Sequence, residues 1–468
     1  MSADIQHVVV LMLENRSFDC MLGRLYPQDS DFRGLTLDES NFYGMNYLVW
    51  SDPQMTAAAA CTPDPDPGEA FTDMNVQLFG DPDRAGKTAT MSGFALNYGS
   101  QPASAGDRDP GAVMHYFTPD QVPIISALAT AFGVCDRWHA SAPCQTWPNR
   151  FFAHTGTALG YVDNNTFKIP FEAPSLLRRL EDCGKAWRVY FHDTAQSMLI
   201  RDIWVYAPLH FRLFGEFLAD AHSGALPAYS FIEPRYFTDL VSSLIPNDEH
   251  PPHNVLYGEQ LIAGIYNALR SSPCWKQTLF IITYDEHGGC YDHVVPPPAA
   301  APDGIVNNPY NFNFDSYGVR VPAVVVSPWI PPGSKIRPQQ GSPAPFDHTS
   351  IIKTVREIFA LGAKLTDRDE AAPSLVPALS LAGPTNDGPQ SLTAATAPPE
   401  PTLLVARSAA APNGMQASLA AAAASLPASA PATEHDLPQP VQPVHGRYST
   451  VATAQAAAAA GTKAFLGL

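Results

Sequence analysis

Short, unbroken apolar runs recur along the chain, separated by stretches of helical period. The runs cover 8–13, 187–191, 229–232, 279–284 and 323–327. None shows the strict apolar–polar alternation of a half-exposed strand, and each is too short for an ordinary helix. They read as parallel strands buried on both faces. Helical spacing of apolar positions occupies 122–131, 175–183, 255–270 and 350–361. Strands alternating with helices predict an α/β sandwich. Pro and Gly interrupt both patterns at 62–68 and 294–308, which predicts loops over one edge of the sheet.

Polar residues stand directly after two of these runs. Glu14-Asn15 follows 8–13, and Asp285-Glu286 follows 279–284. Ligands of open α/β sheets gather at the carboxyl ends of the strands, so the two pairs are expected to converge. Three carboxylates and an amide oxygen suit a hard divalent cation. Bunched without one, they would repel each other and lose hydration. Singly, the first pair could cap a helix and the second open a turn; together they point to a metal site.

Thr146-Trp147-Pro148-Asn149-Arg150 adds a hydroxyl at the start of a helix. A hydroxyl attacks well only when a base or a metal lowers its pKa. Asn149 and Arg150 are candidates to hold phosphate oxygens. Thr146 could equally cap the helix, and the two roles are compatible because a helix N-terminus attracts anions. Among the histidines, His192 and His250 sit in loops after buried elements and are the candidates to protonate a leaving alkoxide.

Composition changes at about residue 380. Residues 1–380 read as one catalytic domain, and 381–468 as an Ala/Pro-rich, low-complexity tail, extended, solvated and partly disordered, with short helices such as 453–460. The net charge of −17 argues against a nucleic-acid partner but not against a small phosphate ester, because a bound cation inverts the local field. The seven cysteines show no CxxC spacing and read as small buried apolar residues. No signal peptide or membrane-spanning run is visible, so the expected location is the cytoplasm, with export by a signal-independent route as the alternative. Apolar segments at 43–50 and 307–314 either meet lipid peripherally or pack on the sheet.

The blocks Glu14-Asn15-Arg16-Ser17-Phe18-Asp19, 146–150, 248–251, 285–289 with Asp292-His293, and His348-Thr349-Ser350 resemble, in order, the bacterial phospholipase C and acid phosphatase phosphoesterases. That family is a branch of the alkaline-phosphatase-like superfamily. The resemblance implies a three-layer α/β/α sandwich with loop-rich insertions over the active-site edge. It implies one divalent metal ion held by Glu14, Asn15, Asp285 and Glu286. Thr146 would be the nucleophile, touching the metal, and His192 and His250 would serve the phosphoryl oxygens or the leaving group. The implied substrate is a small phosphate ester or a phospholipid. A sulfatase or phosphonate hydrolase is the alternative enzyme, disfavoured because no cysteine stands at the nucleophile position; a binding protein with a degenerate site is the non-enzymatic one. Many relatives carry an Asp-x-x-His element after the first block. Here the stretch reads Asp64-Pro65-Asp66-Pro67-Gly68-Glu69, so Glu69 is expected in place of the histidine. A carboxylate there disfavours a dianionic monoester and tilts the expectation to diesters.

Overall fold

A computed structural model of the chain describes residues 3–102, 108–342, 344–395, 401–437 and 448–468. Its strands are β1 (His7–Leu13), β2 (Ser40–Tyr43), β3 (Met45–Leu48), β4 (Gly133–Val134), β5 (Trp187–Phe191), β6 (Phe211–Leu213), β7 (Tyr229–Glu233), β8 (Thr278–Tyr284), β9 (Ala323–Val326) and β10 (Ser334–Lys335). The main sheet runs β10-β4-β9-β8-β1-β7-β5-β6, and β2-β3 is a separate hairpin. Strand β1 lies between β8 and β7 and pairs with both in parallel.

The unbroken apolar pattern is explained by cover on both faces. Val8 to Leu13 and all of β8 are buried. Helices Pro123–Ala131, Phe214–Ser223 and Val255–Ser271 pack together as one set, and Thr146–Thr155, Leu176–Asp182 and Thr349–Phe359 as another. The result is the α/β architecture expected, a sheet between two helical layers. Each aliphatic side chain moved from water into this core contributes roughly 1.5–3 kcal/mol. Helix starts follow local chemistry: the Ser175 side chain accepts from Arg178 N–H, and that of Asn254 from Leu256 N–H.

Two expectations are corrected. The run at 323–327 is not parallel: β9 is antiparallel to β8. A parallel pair needs a helical crossover, and the 285–322 connection is loop. Nor are the described residues within 401–437 and 448–468 an extended, solvated tail; parts of the expected tail, 396–400 and 438–447, lie outside the described residues. Helices Pro401–Ala409, Gly414–Ala424 and Val451–Leu466 form there, the last containing the short helix expected. Leu419, Ala420 and Ala458 are buried in one cluster with Tyr236 and Phe237. Alanine has the highest helix propensity and allows close packing. At Gly461 an added Cβ would come 2.1 Å from the Ala423 carbonyl oxygen, so these helices touch backbone to backbone.

The apolar segments split. Phe312 and Phe314 are buried, whereas Phe42, Met45 and Leu48 on the β2-β3 hairpin are 64%, 59% and 57% exposed. Among the described residues no helix is long and apolar enough to cross a membrane.

Buried charges stitch the elements together. Arg320 donates from Nη2 to Asp19 (2.9 Å) and from Nε to Asp292 (3.0 Å), joining the 14–19 and 285–293 blocks. Under the helical layer, Glu259 accepts from the N–H groups of Ile124 (2.5 Å) and Ile125 (3.0 Å). Burial pushes its carboxyl from 4.5 up to about 7. The folded protein therefore keeps a proton that the unfolded chain releases, so this contribution is full below pH 4.5 and is lost as pH rises through about 7. In urea titrations, Glu259→Gln is expected to flatten that part of the stability–pH curve. An unchanged slope would show that another group sets it.

Candidate active site

The register Leu13↔Tyr284 places Glu14 and Asp285 side by side at the carboxyl edge of the sheet. The chain turns sharply there. Asn15 has φ +54, and its N–H donates to Asp285 Oδ1 at 3.1 Å. The same oxygen accepts from Glu286 N–H at 2.8 Å. Gly288, at φ +59, passes so close that a Cβ would sit 2.2 Å from the Asn15 carbonyl oxygen. Only glycine serves there.

Arg16 brings two loops to this edge. It is fully buried and donates to the carbonyl oxygens of Thr62, Glu249 (2.8 Å) and His253 (3.4 Å). Those loops carry Asp66 and Glu69, and Asp248 and His250. Asn15 Nδ2 donates to Glu69 Oε1 at 2.6 Å and to Glu286 Oε1 at 2.9 Å.

Thr146 is the first residue of helix Thr146–Thr155, with Gln145 as its N-cap. Its hydroxyl is therefore not the cap. Four residues on, one turn along the same face, Arg150 donates from Nε to Glu14 Oε1 (2.9 Å) and from Nη2 to the Met12 carbonyl (3.1 Å). Its Nε also lies 3.5 Å from Asp285 Oδ2. With its Nε and Nη2, Arg150 thus neutralises the carboxylates that the sequence pairs, while its Nη1 is buried without a hydrogen-bond partner. Asn149 is corrected from a phosphate contact to a positioning residue. Its oxygen accepts from Ala142 N–H (3.0 Å), and its amide donates to the carbonyls of Ala142, Cys144 and Gln145. These bonds shape the loop that delivers Thr146.

Several buried oxygens are left open. Among the described residues, Glu14 Oε2, Asn15 Oδ1, Thr146 Oγ1, Asp248 Oδ2 and Asp285 Oδ2 have no hydrogen-bond partner. Buried polar atoms are rarely abandoned in this way. Burial, reinforced by Asp285 and Asp248, holds the Glu14 carboxyl well above its usual range, and burial pushes Asp285 up to about 6. An all-oxygen set with this charge fits a hard divalent cation. Asp248 was not among the expected ligands; the signal available was its place two residues before His250. Gln196 was missed outright. It donates to Glu14 Oε1 at 2.8 Å from a segment with no motif.

Glu286 stays at the site, and His192 moves outward. Each Glu286 oxygen accepts one hydrogen bond, Oε1 from Asn15 and Oε2 from Gly288 N–H at 2.8 Å, so Glu286 orients the Asn15 amide and keeps a lone pair on each oxygen. His192 is not brought to the site. Its ring stacks on Phe214 at 4.3 Å, and its Nδ1 lies 3.0 Å from the Glu233 carbonyl. It follows β5, which β7 separates from β1, about 10 Å away at ordinary strand spacing. His250, in contrast, is fully buried, with Nε2 3.4 Å from Glu69 Oε1. Cys144 lies in an apolar cluster with Phe152 and Phe314, so it presents no sulfatase-type nucleophile.

An unpartnered hydroxyl and open carboxylate oxygens at the carboxyl edge of an α/β sheet are the equipment of an ester hydrolase. Comparison with known proteins narrows this class. Residues 5–362 match the Phosphoesterase family, and the chain belongs to it. Non-specific phospholipase C3 of Arabidopsis thaliana is 37% identical over 408 residues, 84% of this chain and 76% of that protein. Phospholipase C A of Mycobacterium tuberculosis is 28% identical, over 76% of this chain and 73% of that protein. A phosphonate monoester hydrolase of Agrobacterium radiobacter gives a TM-score of 0.35 at 13% identity, covering 80% of this chain and 77% of that one. The chain is an enzyme that hydrolyses phosphoric ester bonds.

Proposed function

We infer that this enzyme is a metal-dependent phosphodiesterase acting on phospholipids through Thr146. The observation that carries the reading is the buried, unpartnered Thr146 hydroxyl one helical turn before Arg150, which pairs with Glu14 and Asp285. Glu14, Asn15, Asp285 and Thr146 would hold the cation, with Asp248 beside them. When bound, the cation supplies charge that stabilises the threonine alkoxide and a phosphoryl oxygen.

The residues divide the remaining work. Thr146 Oγ forms a bond to phosphorus as the bond to the leaving alcohol breaks, and the departing oxygen takes up a proton. Water then cleaves the Thr146–phosphorus ester, releasing the remaining alcohol as its phosphate monoester and restoring the hydroxyl. Arg150 and Gln196 keep Glu14 aimed, and Glu286 keeps the Asn15 carbonyl turned inward. Glu69 and His250 form the side facing the leaving group.

Substrate class follows from charge and from relatives. Burial pushes Glu69 up to about 7, so above that pH a negative charge faces the substrate. With no cation on Glu69, that charge repels a dianionic monoester more than a monoanionic diester. Relatives such as non-specific phospholipase C3 are named for phospholipid cleavage, which supports a lipid diester. The exposed Phe42, Met45 and Leu48 provide a peripheral contact for such a substrate.

One comparison tests the reading. Phosphatidylcholine and an aryl phosphate diester should be hydrolysed faster than an aryl phosphate monoester. A chelator should abolish all turnover, and added divalent metal should restore it. Full activity in the chelated protein would rule out the metal-dependent mechanism, and a preference for the monoester would rule out the diester assignment.

A further inference from the structure

A second group of ligand atoms lies beside the Thr146 centre. One atom from each of Asp66, Glu69 and His250 falls within 4.8 Å of the other two. The ring of His250 shows what this group needs. Its Nδ1 lies 2.6 Å from the Pro251 carbonyl oxygen, which accepts only from an N–H. With the proton on Nδ1, Nε2 carries a bare lone pair. That nitrogen is buried, has no hydrogen-bond partner, and faces Glu69 Oε1 at 3.4 Å. Glu69 Oε1 is also an acceptor, from Asn15. Two acceptors face each other with nothing positive between them. Asp66 Oδ1 is buried and likewise without a hydrogen-bond partner; it lies 3.7 Å from His250 Nδ1 and completes the group of three ligand atoms.

We propose that Asp66, Glu69 and His250 bind a second divalent cation, separate from the one at Glu14, Asn15 and Asp285. Imidazole with carboxylates suits zinc or manganese better than calcium. The Nδ1–H bond to a backbone carbonyl is the outer contact that metal-binding histidines use to fix their tautomer. The cage is also held in place: Arg16 ties the backbones of both loops that build it, and Asn15 anchors Glu69. A contrast within the molecule sharpens the point. Asp19, Asp292 and His293 form an equally tight group, but Arg320 donates directly to both carboxylates and supplies the charge. Among the described residues Asp66 and Glu69 make no ion pair with Lys or Arg, and the charges of Arg108 and Arg16 act on Asp66 only from beyond contact. A proton shared by Glu69 and His250 would satisfy those two groups alone and would leave Asp66 Oδ1 buried without a hydrogen-bond partner. Binding at this cage is argued from its own residues; only its placement on the leaving-group side rests on the proposed function.

Zinc content of the full chain tests the proposal. Protein stripped with a chelator, reloaded with excess Zn²⁺ and desalted should carry two ions per chain by mass spectrometry. Asp66→Asn and Glu69→Gln should each leave one, and Glu14→Gln should also leave one. Thermal unfolding of the stripped proteins confirms that each variant folds. One ion in the wild type, kept by Asp66→Asn and Glu69→Gln but lost in Glu14→Gln, would overturn the second site and leave the catalytic assignment standing. One ion kept by Glu14→Gln but lost in Asp66→Asn and Glu69→Gln would support this cage and overturn the Glu14 ligand set instead.

Discussion

Thr146→Ala is expected to lower kcat on phosphate diesters by at least about 10³-fold, because it removes the group that attacks phosphorus. What remains would come from the charge around the site. The fold should be preserved. The Thr146 hydroxyl makes no hydrogen bond among the described residues, so deleting it strands no partner and stability should change by only about 1 kcal/mol. Thr146→Ser restores a hydroxyl at the same helix start and should recover a large part of the activity. That recovery separates chemistry from packing. Rapid quenching of the wild-type reaction should trap the phosphoryl group, still esterified to the remaining alcohol, on the peptide containing Thr146. Full activity of Thr146→Ala on every ester tested would remove this residue from the mechanism.

Arg150→Ala should produce the largest loss of stability. The side chain is 2% exposed and lies among Glu14, Asp285 and the ring of Tyr236. Removing one partner of a buried ion pair leaves the other charges without compensation, a cost of roughly 3–5 kcal/mol. Urea unfolding of chelated protein should show it. Excess divalent metal should recover part of the loss, because a cation bound to the native state offsets the same carboxylates. Arg150→Lys should rescue poorly, since an ammonium cannot reach Glu14 and the Met12 carbonyl with one planar fork. A loss under about 1 kcal/mol in chelated protein would mean that the pair is not what holds Glu14 and Asp285 together.

The central strands were legible because nothing competes with their signal. Burial on both faces demands an unbroken apolar run, and β1 and β8 carry one. Strand β9 carried the same signal, but an apolar run does not encode direction. The short strands β4, β6 and β10 hold too few residues for any period to show. Alanine-rich sequence misled in the C-terminal region. Low complexity looked like a solvated tail, whereas the small side chains serve contacts such as Gly461 against Ala423.

Within the site, the amino-acid order marked Glu14, Asn15, Thr146, Asp285 and His250, since residues placed just after strands, at a helix start or in a Pro-rich turn stand out locally. It also marked Glu69 as a departure on the leaving-group side. Roles were another matter. Asn149 has the right chemistry for phosphate, yet its polar atoms are consumed by backbone groups of the loop before it. His192 satisfied every local criterion and fails on strand order alone. Asp248, Gln196 and the Asp66–Glu69–His250 cage became visible only once Arg16 and Arg150 had drawn separate loops to one edge. Local chemistry is written in adjacent residues. Whether a polar atom is spent or left open depends on which atoms the fold brings to it, and only the tertiary structure decides that.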